Sequence, residues 1–148
     1  MTTKRIAIID DDPFLVAHLQ QAIAERLPGA EVIGIEDPVA PAGFDVYIVD
    51  REFGGDSLGQ DVISRIRALE PGSLVLAYSA YLDRDFLRTL LRKGCEGAFD
   101  KGSLEELDTM ISVIGEFLSS GRHEASGTGG ITGCEPVARI RSSYITRL

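Results

Sequence analysis

Four short apolar runs organise the chain. Ile6-Ala7-Ile8-Ile9, Val46-Tyr47-Ile48-Val49, Leu74-Val75-Leu76-Ala77-Tyr78 and Gly97-Ala98-Phe99 do not alternate with polar residues. Near-continuous aliphatic runs are what parallel strands buried on both faces produce. A fifth strand is predicted from Glu31 to Ile35. Between the strands the apolar positions recur at three and four residues, the helical period. The first such stretch runs from Pro13 to about Leu27, with Leu15, Leu19, Ile23 and Leu27 on one face and Pro28-Gly29 as its stop. The next carries Val62, Ile63, Ile66 and Leu69 inward and ends before Pro71-Gly72. A third spans Asp83 to Lys93, with Phe86, Leu87, Leu90 and Leu91 as its stripe and Gly94 as its C-terminal cap. The last opens on the capping-box pattern Ser103-Leu104-Glu105-Glu106, with Leu104, Leu107, Ile111, Ile114 and Leu118 facing inward.

Strands alternating with helices predict an α/β fold, a doubly wound parallel sheet. One connection breaks the pattern. Between Ile35 and Phe44 only Glu36-Asp37-Pro38-Val39-Ala40-Pro41-Ala42-Gly43 remain. A crossover with its helix takes at least about 10–12 residues, so a loop or single turn is predicted there. The sheet face it leaves needs another cover, either Val39 and Phe44 folding over it or a second subunit, so a homodimer is one expectation.

The strand ends carry the chemistry. The first run ends in Asp10-Asp11-Asp12-Pro13, the second in Asp50, the third in Ser79-Ala80 and the fourth in Asp100-Lys101. In a doubly wound sheet, ligands sit outside the carboxyl ends of the strands, so these groups converge. Three crowded carboxylates repel unless a cation neutralises them, and a hard divalent ion such as Mg²⁺ takes oxygen ligands. The bland alternative is a solvated loop in which Asp12 caps a helix beginning at Pro13. For Lys101 it is a surface ion pair with Asp100, and for Ser79 a strand-end cap.

Composition narrows the function. At 148 residues the chain fits one domain with an appendage: residues 1–119, then a Gly/Ser-rich linker and mildly basic tail over 120–148. In that tail Val137, Ile140, Tyr144 and Leu148 are spaced as one face of a short helix that could pack on the body or on a partner subunit. A formal net charge of −8 argues against a direct nucleic-acid surface. No apolar stretch approaches the roughly 20 residues of a membrane span. The opening Met1-Thr2-Thr3-Lys4-Arg5 lacks a signal-peptide apolar region, so a cytoplasmic protein is expected, with no membrane partner. Cys95 and Cys134 have no metal-ligand spacing, and His18 and His123 are isolated.

Over about residues 4–118 the chain resembles a receiver domain of a two-component response regulator, in Ile8-Ile9-Asp10-Asp11, Val49-Asp50, Ser79-Ala80 and Lys101, in this order. The resemblance implies a flavodoxin-like sheet in the order 2-1-3-4-5. It also implies that Mg²⁺ is bound by Asp10, Asp11, Asp50 and the backbone carbonyl of Glu52, and that Asp50 accepts a phosphoryl group whose oxygens Ser79 and Lys101 hold. Glu52 and Tyr81 fall at the positions that tune the lifetime of the phosphorylated state. The implied partners are a histidine kinase or histidine phosphotransfer protein, and a downstream protein target. About thirty residues follow the last helix, too few for the usual DNA-binding domain, which predicts an atypical stand-alone receiver.

The chain also departs from the family. Phe53-Gly54 stands where Leu-Pro is usual, Gly59 comes one residue late, Gly102 replaces a proline that is often cis, and Ala98 occupies the place of a coupling aromatic. The expected role is a phosphoacceptor that assists its own modification rather than an enzyme. One alternative is a pseudo-receiver used for binding or dimerisation without phosphorylation. Another is a Mg²⁺-dependent phosphatase, with Glu52 as a second acid two residues after the nucleophile.

Overall fold

The computed structural model describes residues 2–56 and 58–121, the side chains of 120 and 121 excepted. The tail expectations, including the Val137-Ile140-Tyr144-Leu148 stripe, Cys134 and His123, lie outside the described residues. Five strands form one parallel sheet: β1 (Arg5–Ile9), β2 (Glu31–Ile35), β3 (Val46–Val49), β4 (Leu74–Ser79) and β5 (Gly97–Asp100). Their order is β2-β1-β3-β4-β5, the expected 2-1-3-4-5. Among the described residues four helices complete the layers: α1 (Pro13–Arg26), α2 (Gly59–Leu69), α3 (Arg84–Lys93) and α4 (Leu104–Glu116), the last running into a π-helical turn, Phe117–Gly121.

Alternate residues of the strands face two apolar clusters. Ile6, Ile8, Val46, Ile48, Leu74 and Leu76 pack with Leu19, Ile23, Met110 and Ile114 of α1 and α4. Ala7, Ile9, Tyr47, Val49, Val75 and Ala77 pack with Ile63 and Ile66 of α2 and with Phe86, Leu87 and Leu90 of α3. Burial on both sides accounts for the unbroken apolar runs of the inner strands. Two assigned core positions are corrected. Leu104 is 77% exposed and Leu69 54% exposed. They are the first residue of α4 and the last of α2. Met110 and Val113, absent from the expected stripe, are buried instead.

No helix occurs between β2 and β3. The short connection is tied down by side chains around it. The buried Tyr47 hydroxyl donates to the Pro41 carbonyl at 2.5 Å and accepts from Phe44 N–H. Glu70 accepts from Gly43 N–H at 2.7 Å, and Arg65 donates to the Pro38 carbonyl. The Arg5 guanidinium lies 4.3 Å from the Phe44 ring centroid. Phe44 is thereby buried over the sheet beside Ala40, whereas Val39 remains 43% exposed. The cover comes from Phe44 and not from Val39.

Candidate functional site

Backbone ladder bonds running past the strand ends set the site. Asp10 N–H donates to the Ile35 carbonyl at 3.0 Å, Asp50 N–H to Ile9 at 2.9 Å and Lys101 N–H to Ser79 at 3.0 Å. The three side chains are thus held at one edge by the sheet itself. Asp12 separates from its neighbours here: its carboxylate accepts from Phe14 and Leu15 N–H and caps α1. The bland reading therefore holds for Asp12 alone. Asp10, Asp11 and Asp50 present carboxylate oxygens that all lie within 4.8 Å of one another.

Lys101 Nζ sits between two of these acids, 2.8 Å from Asp10 Oδ2 and 3.0 Å from Asp50 Oδ1. The bland alternative, a surface ion pair with Asp100, is not what forms: these partly buried contacts with Asp10 and Asp50 take its place. Asp100 Oδ1 instead accepts from Gly102 N–H, and Asp100 N–H donates to Glu106 Oε1. The β5–α4 loop is in this way closed without a cis peptide; none occurs among the described residues. Asp50 Oδ1 also accepts from Arg51 N–H at 2.8 Å. Its other oxygen, Oδ2, has no hydrogen-bond donor among the described residues.

Burial pushes the Asp50 carboxyl above the ordinary aspartate range and the charge of Asp10 pushes it further, while Lys101 and the Arg51 N–H pull it back. Burial alone would lower the Lys101 ammonium, but its bonds to Asp10 and Asp50 outweigh that, and its pKa is raised. Burial and the neighbouring Asp10 therefore disfavour a negative charge on Asp50 even with its lysine partner. An all-oxygen donor set around a like-charged pair fits a hard divalent cation such as Mg²⁺.

The loop after Asp50 adds contacts that the sequence pattern had not exposed. Phe53 and Asp56 pair across Gly54 and Gly55, whose φ values are 59° and 89°. Two central residues at positive φ are what a type I′ hairpin turn requires, hence the glycine pair. The turn sends Gly54 N–H to Asp11 Oδ2 at 2.8 Å. Gly59 N–H reaches the Arg51 carbonyl at 2.9 Å, and a Cβ there would lie 2.0 Å from the Asp50 carbonyl oxygen.

Ser79 is buried and lines the same open cleft of about 270 Å³, with Asp10, Asp11, Asp50, Glu52, Tyr81 and Lys101. Ser79 Oγ accepts from Tyr81 N–H at 3.2 Å. All the sequence-assigned residues thus meet at one cleft. The Tyr81 ring stands at its rim, the residue 66% exposed. Arg51 was missed by the sequence reading. Its guanidinium donates to the Tyr81 carbonyl at 2.9 Å and lies 4.0 Å from the Phe86 ring centroid.

No protein-family model and no curated protein matches the sequence. Solved structures do match. A CheY-like receiver domain from Methanospirillum hungatei aligns at a TM-score of 0.69 and 22% identity, over 85% of this chain and 100% of its own. The receiver domain of a DNA-binding response regulator from Colwellia psychrerythraea aligns at 0.64 and 22%, over 76% and 98%. The phosphorylated cyanobacterial phytochrome response regulator RcpA aligns at 0.65 and 19%, over 80% and 96%. No helix among the described residues is long and apolar enough to cross a membrane. In strand order and helix layers, the chain has the fold of response-regulator receiver domains.

Proposed function

We propose that this chain is a receiver that accepts a phosphoryl group on Asp50, from a phosphohistidine of a histidine kinase or histidine phosphotransfer protein, and thereby changes its contacts with a downstream protein target. The observation that carries this reading is Lys101 Nζ held between Asp10 and Asp50 in a cleft that also presents Asp11 and Ser79.

Phosphoryl transfer asks mainly for positioning and charge neutralisation. Asp50 Oδ1 is occupied by Lys101 and the Arg51 N–H, which turns Oδ2 into the nucleophilic oxygen. A new O–P bond forms there as the donor's N–P bond breaks, and that electron pair returns to the imidazole nitrogen. Lys101, already beside the acceptor, follows the negative charge onto the transferred oxygens. Ser79 accepts from Tyr81 N–H, which leaves its own O–H free to donate to a phosphoryl oxygen. Asp10, Asp11, Asp50 and the Glu52 carbonyl would hold Mg²⁺, which when bound supplies neutralisation of the carboxylates and of the phosphoryl oxygens.

Each transfer leaves the chain modified, so the protein acts as a phosphoacceptor and not as a turnover enzyme. Incubation with acetyl phosphate and Mg²⁺, followed by intact-protein mass, tests the reading: wild type gains one phosphoryl group and Asp50→Asn gains none. An unmodified wild-type protein would return the chain to the class of binding modules.

A further inference from the structure

Arg51 follows the acceptor directly in sequence, yet its guanidinium is engaged on another element. It donates to the Tyr81 carbonyl in the β4–α3 connection and lies over the ring of Phe86 in the first turn of α3. Its Nε is buried and has no hydrogen-bond partner among the described residues. A buried donor without an acceptor is costly, so the guanidinium rests in an arrangement that is not its best in hydrogen-bonding terms. Its backbone N–H meanwhile donates to Asp50 Oδ1. One residue therefore touches the acceptor carboxylate with its main chain and the head of α3 with its side chain.

From this geometry we infer that Arg51 is a positioning residue that couples the state of Asp50 to the first turn of α3. The inference rests on the phosphoacceptor reading above. A phosphoryl group on Asp50 would add three strong acceptor oxygens to the residue that precedes Arg51 in the chain, whose guanidinium carries an unsatisfied donor. Those oxygens compete with the Tyr81 carbonyl for Arg51. Two hydrogen-bonding arrangements of one side chain make a two-state element, and the acceptor biases it. When the guanidinium leaves Tyr81 it also leaves the Phe86 ring, and a cation–π contact is lost there.

The consequence reaches α3 through its cap. Phe86 N–H donates to Asp83 Oδ1 at 2.8 Å and Leu87 N–H to the Asp83 carbonyl at 3.0 Å. These two amides hold the helix start and lie beside the ring that Arg51 covers. They are the reporters of the switch. The same side chain acts on Ser79 as well, because Tyr81 N–H is the donor to Ser79 Oγ and Arg51 holds the other side of that residue.

The test is hydrogen exchange on the full chain with Mg²⁺, with and without beryllofluoride, with beryllofluoride binding read separately by thermal shift. In wild type the exchange of amides 84–89 should change by at least about threefold on binding, a shift in local opening. Arg51→Met keeps the aliphatic stem and the main-chain N–H on Asp50; at beryllofluoride concentrations that saturate its thermal shift, the response should fall below about 1.5-fold. Phe86→Leu, which keeps Arg51 but removes the ring beneath it, gives an independent reading and should at least halve the response. A wild-type response retained in both variants overturns the inference, as does a wild type that binds beryllofluoride without any change at 84–89. A wild type that does not bind beryllofluoride at all sinks the phosphoacceptor reading, and the coupling falls with it.

Discussion

Replacing Gly59 by alanine is a severe test of how α2 is seated on the acceptor strand. The added Cβ would stand 2.0 Å from the Asp50 carbonyl oxygen and 2.8 Å from Arg51 Cα. A carbon–oxygen contact needs about 3.3 Å or more, so the start of α2 must retreat by more than about 1 Å. Both opposing atoms are backbone, and no rotamer change relieves them. Overpacking of this kind costs about 1–3 kcal/mol, with the upper end expected against main chain. Loss of the bond from Gly59 N–H to the Arg51 carbonyl adds about 0.5–1.5 kcal/mol. The better helix propensity of alanine returns at most about 1 kcal/mol. The net destabilisation is about 2–3 kcal/mol, which at roughly 3 °C per kcal/mol lowers the melting midpoint by about 6–9 °C. Gly29→Ala is the control: a Cβ there meets nothing within 4 Å, and its effect should stay within about 0.5 kcal/mol. Because the clash falls on Asp50 itself, labelling by acetyl phosphate should slow on the order of tenfold or more, since ångström-scale misplacement can cost up to ~100-fold. Urea and thermal melts of the two variants decide the matter. If Gly59→Ala matched Gly29→Ala, the close seat of α2 on the Asp50–Arg51 backbone would be wrong.

Three further outcomes follow from the site. Mg²⁺ should raise the melting temperature of wild type, by about 2.7 kcal/mol of stability at a hundredfold excess over its Kd, and Asp11→Ala should lose that rise; an undiminished Mg²⁺ response in the variant would take Asp11 out of the site. Tyr81→Ala should lose its phosphoryl group faster than wild type, because the ring at the rim of the cleft hinders water, and equal decay rates would remove Tyr81 from that role. The pKa of Asp50 is raised from 3.8, so the native state binds more protons than the unfolded state between 3.8 and the raised value, and metal-free stability falls as pH rises through that window. Asp50→Asn should lack this loss and gain on wild type as pH rises from 3.8 in EDTA; parallel stability–pH curves for the two proteins would contradict the assignment.

Much of the fold was legible because burial on both faces leaves an unmistakable imprint on parallel strands: the ends of β1, β3 and β4 fall where an apolar run meets Asp10, Asp50 and Ser79. The missing crossover helix was legible from the length and prolines of the Glu36–Gly43 stretch. Helix ends were less so. Periodicity places Leu69 and Leu104 on inward faces but carries no information on whether a helix's terminal residue stays covered. Phe44 and Val39 were indistinguishable as covers, because the choice depends on Tyr47 and Arg5, which approach the loop from other strands. The three consecutive acids could not be separated by pattern alone; the resemblance selected Asp10 and Asp11, and the helix start claims Asp12. Arg51 gave no signal, since an arginine in a polar loop reads as solvated and its partner Phe86 lies far along the chain. The glycine pair Gly54-Gly55 did carry one: adjacent glycines between Phe53 and Asp56 spell a tight hairpin turn.

The proposed phosphorylation of Asp50 is open to a direct chemical test. Borohydride reduction of the freshly phosphorylated chain converts an aspartyl-phosphate to homoserine, and peptide sequencing by mass spectrometry then locates it. Homoserine is expected at residue 50 alone, dependent on Mg²⁺ and abolished by EDTA. Homoserine at position 10 or 11, or none at all under conditions that phosphorylate an authentic receiver, would contradict it.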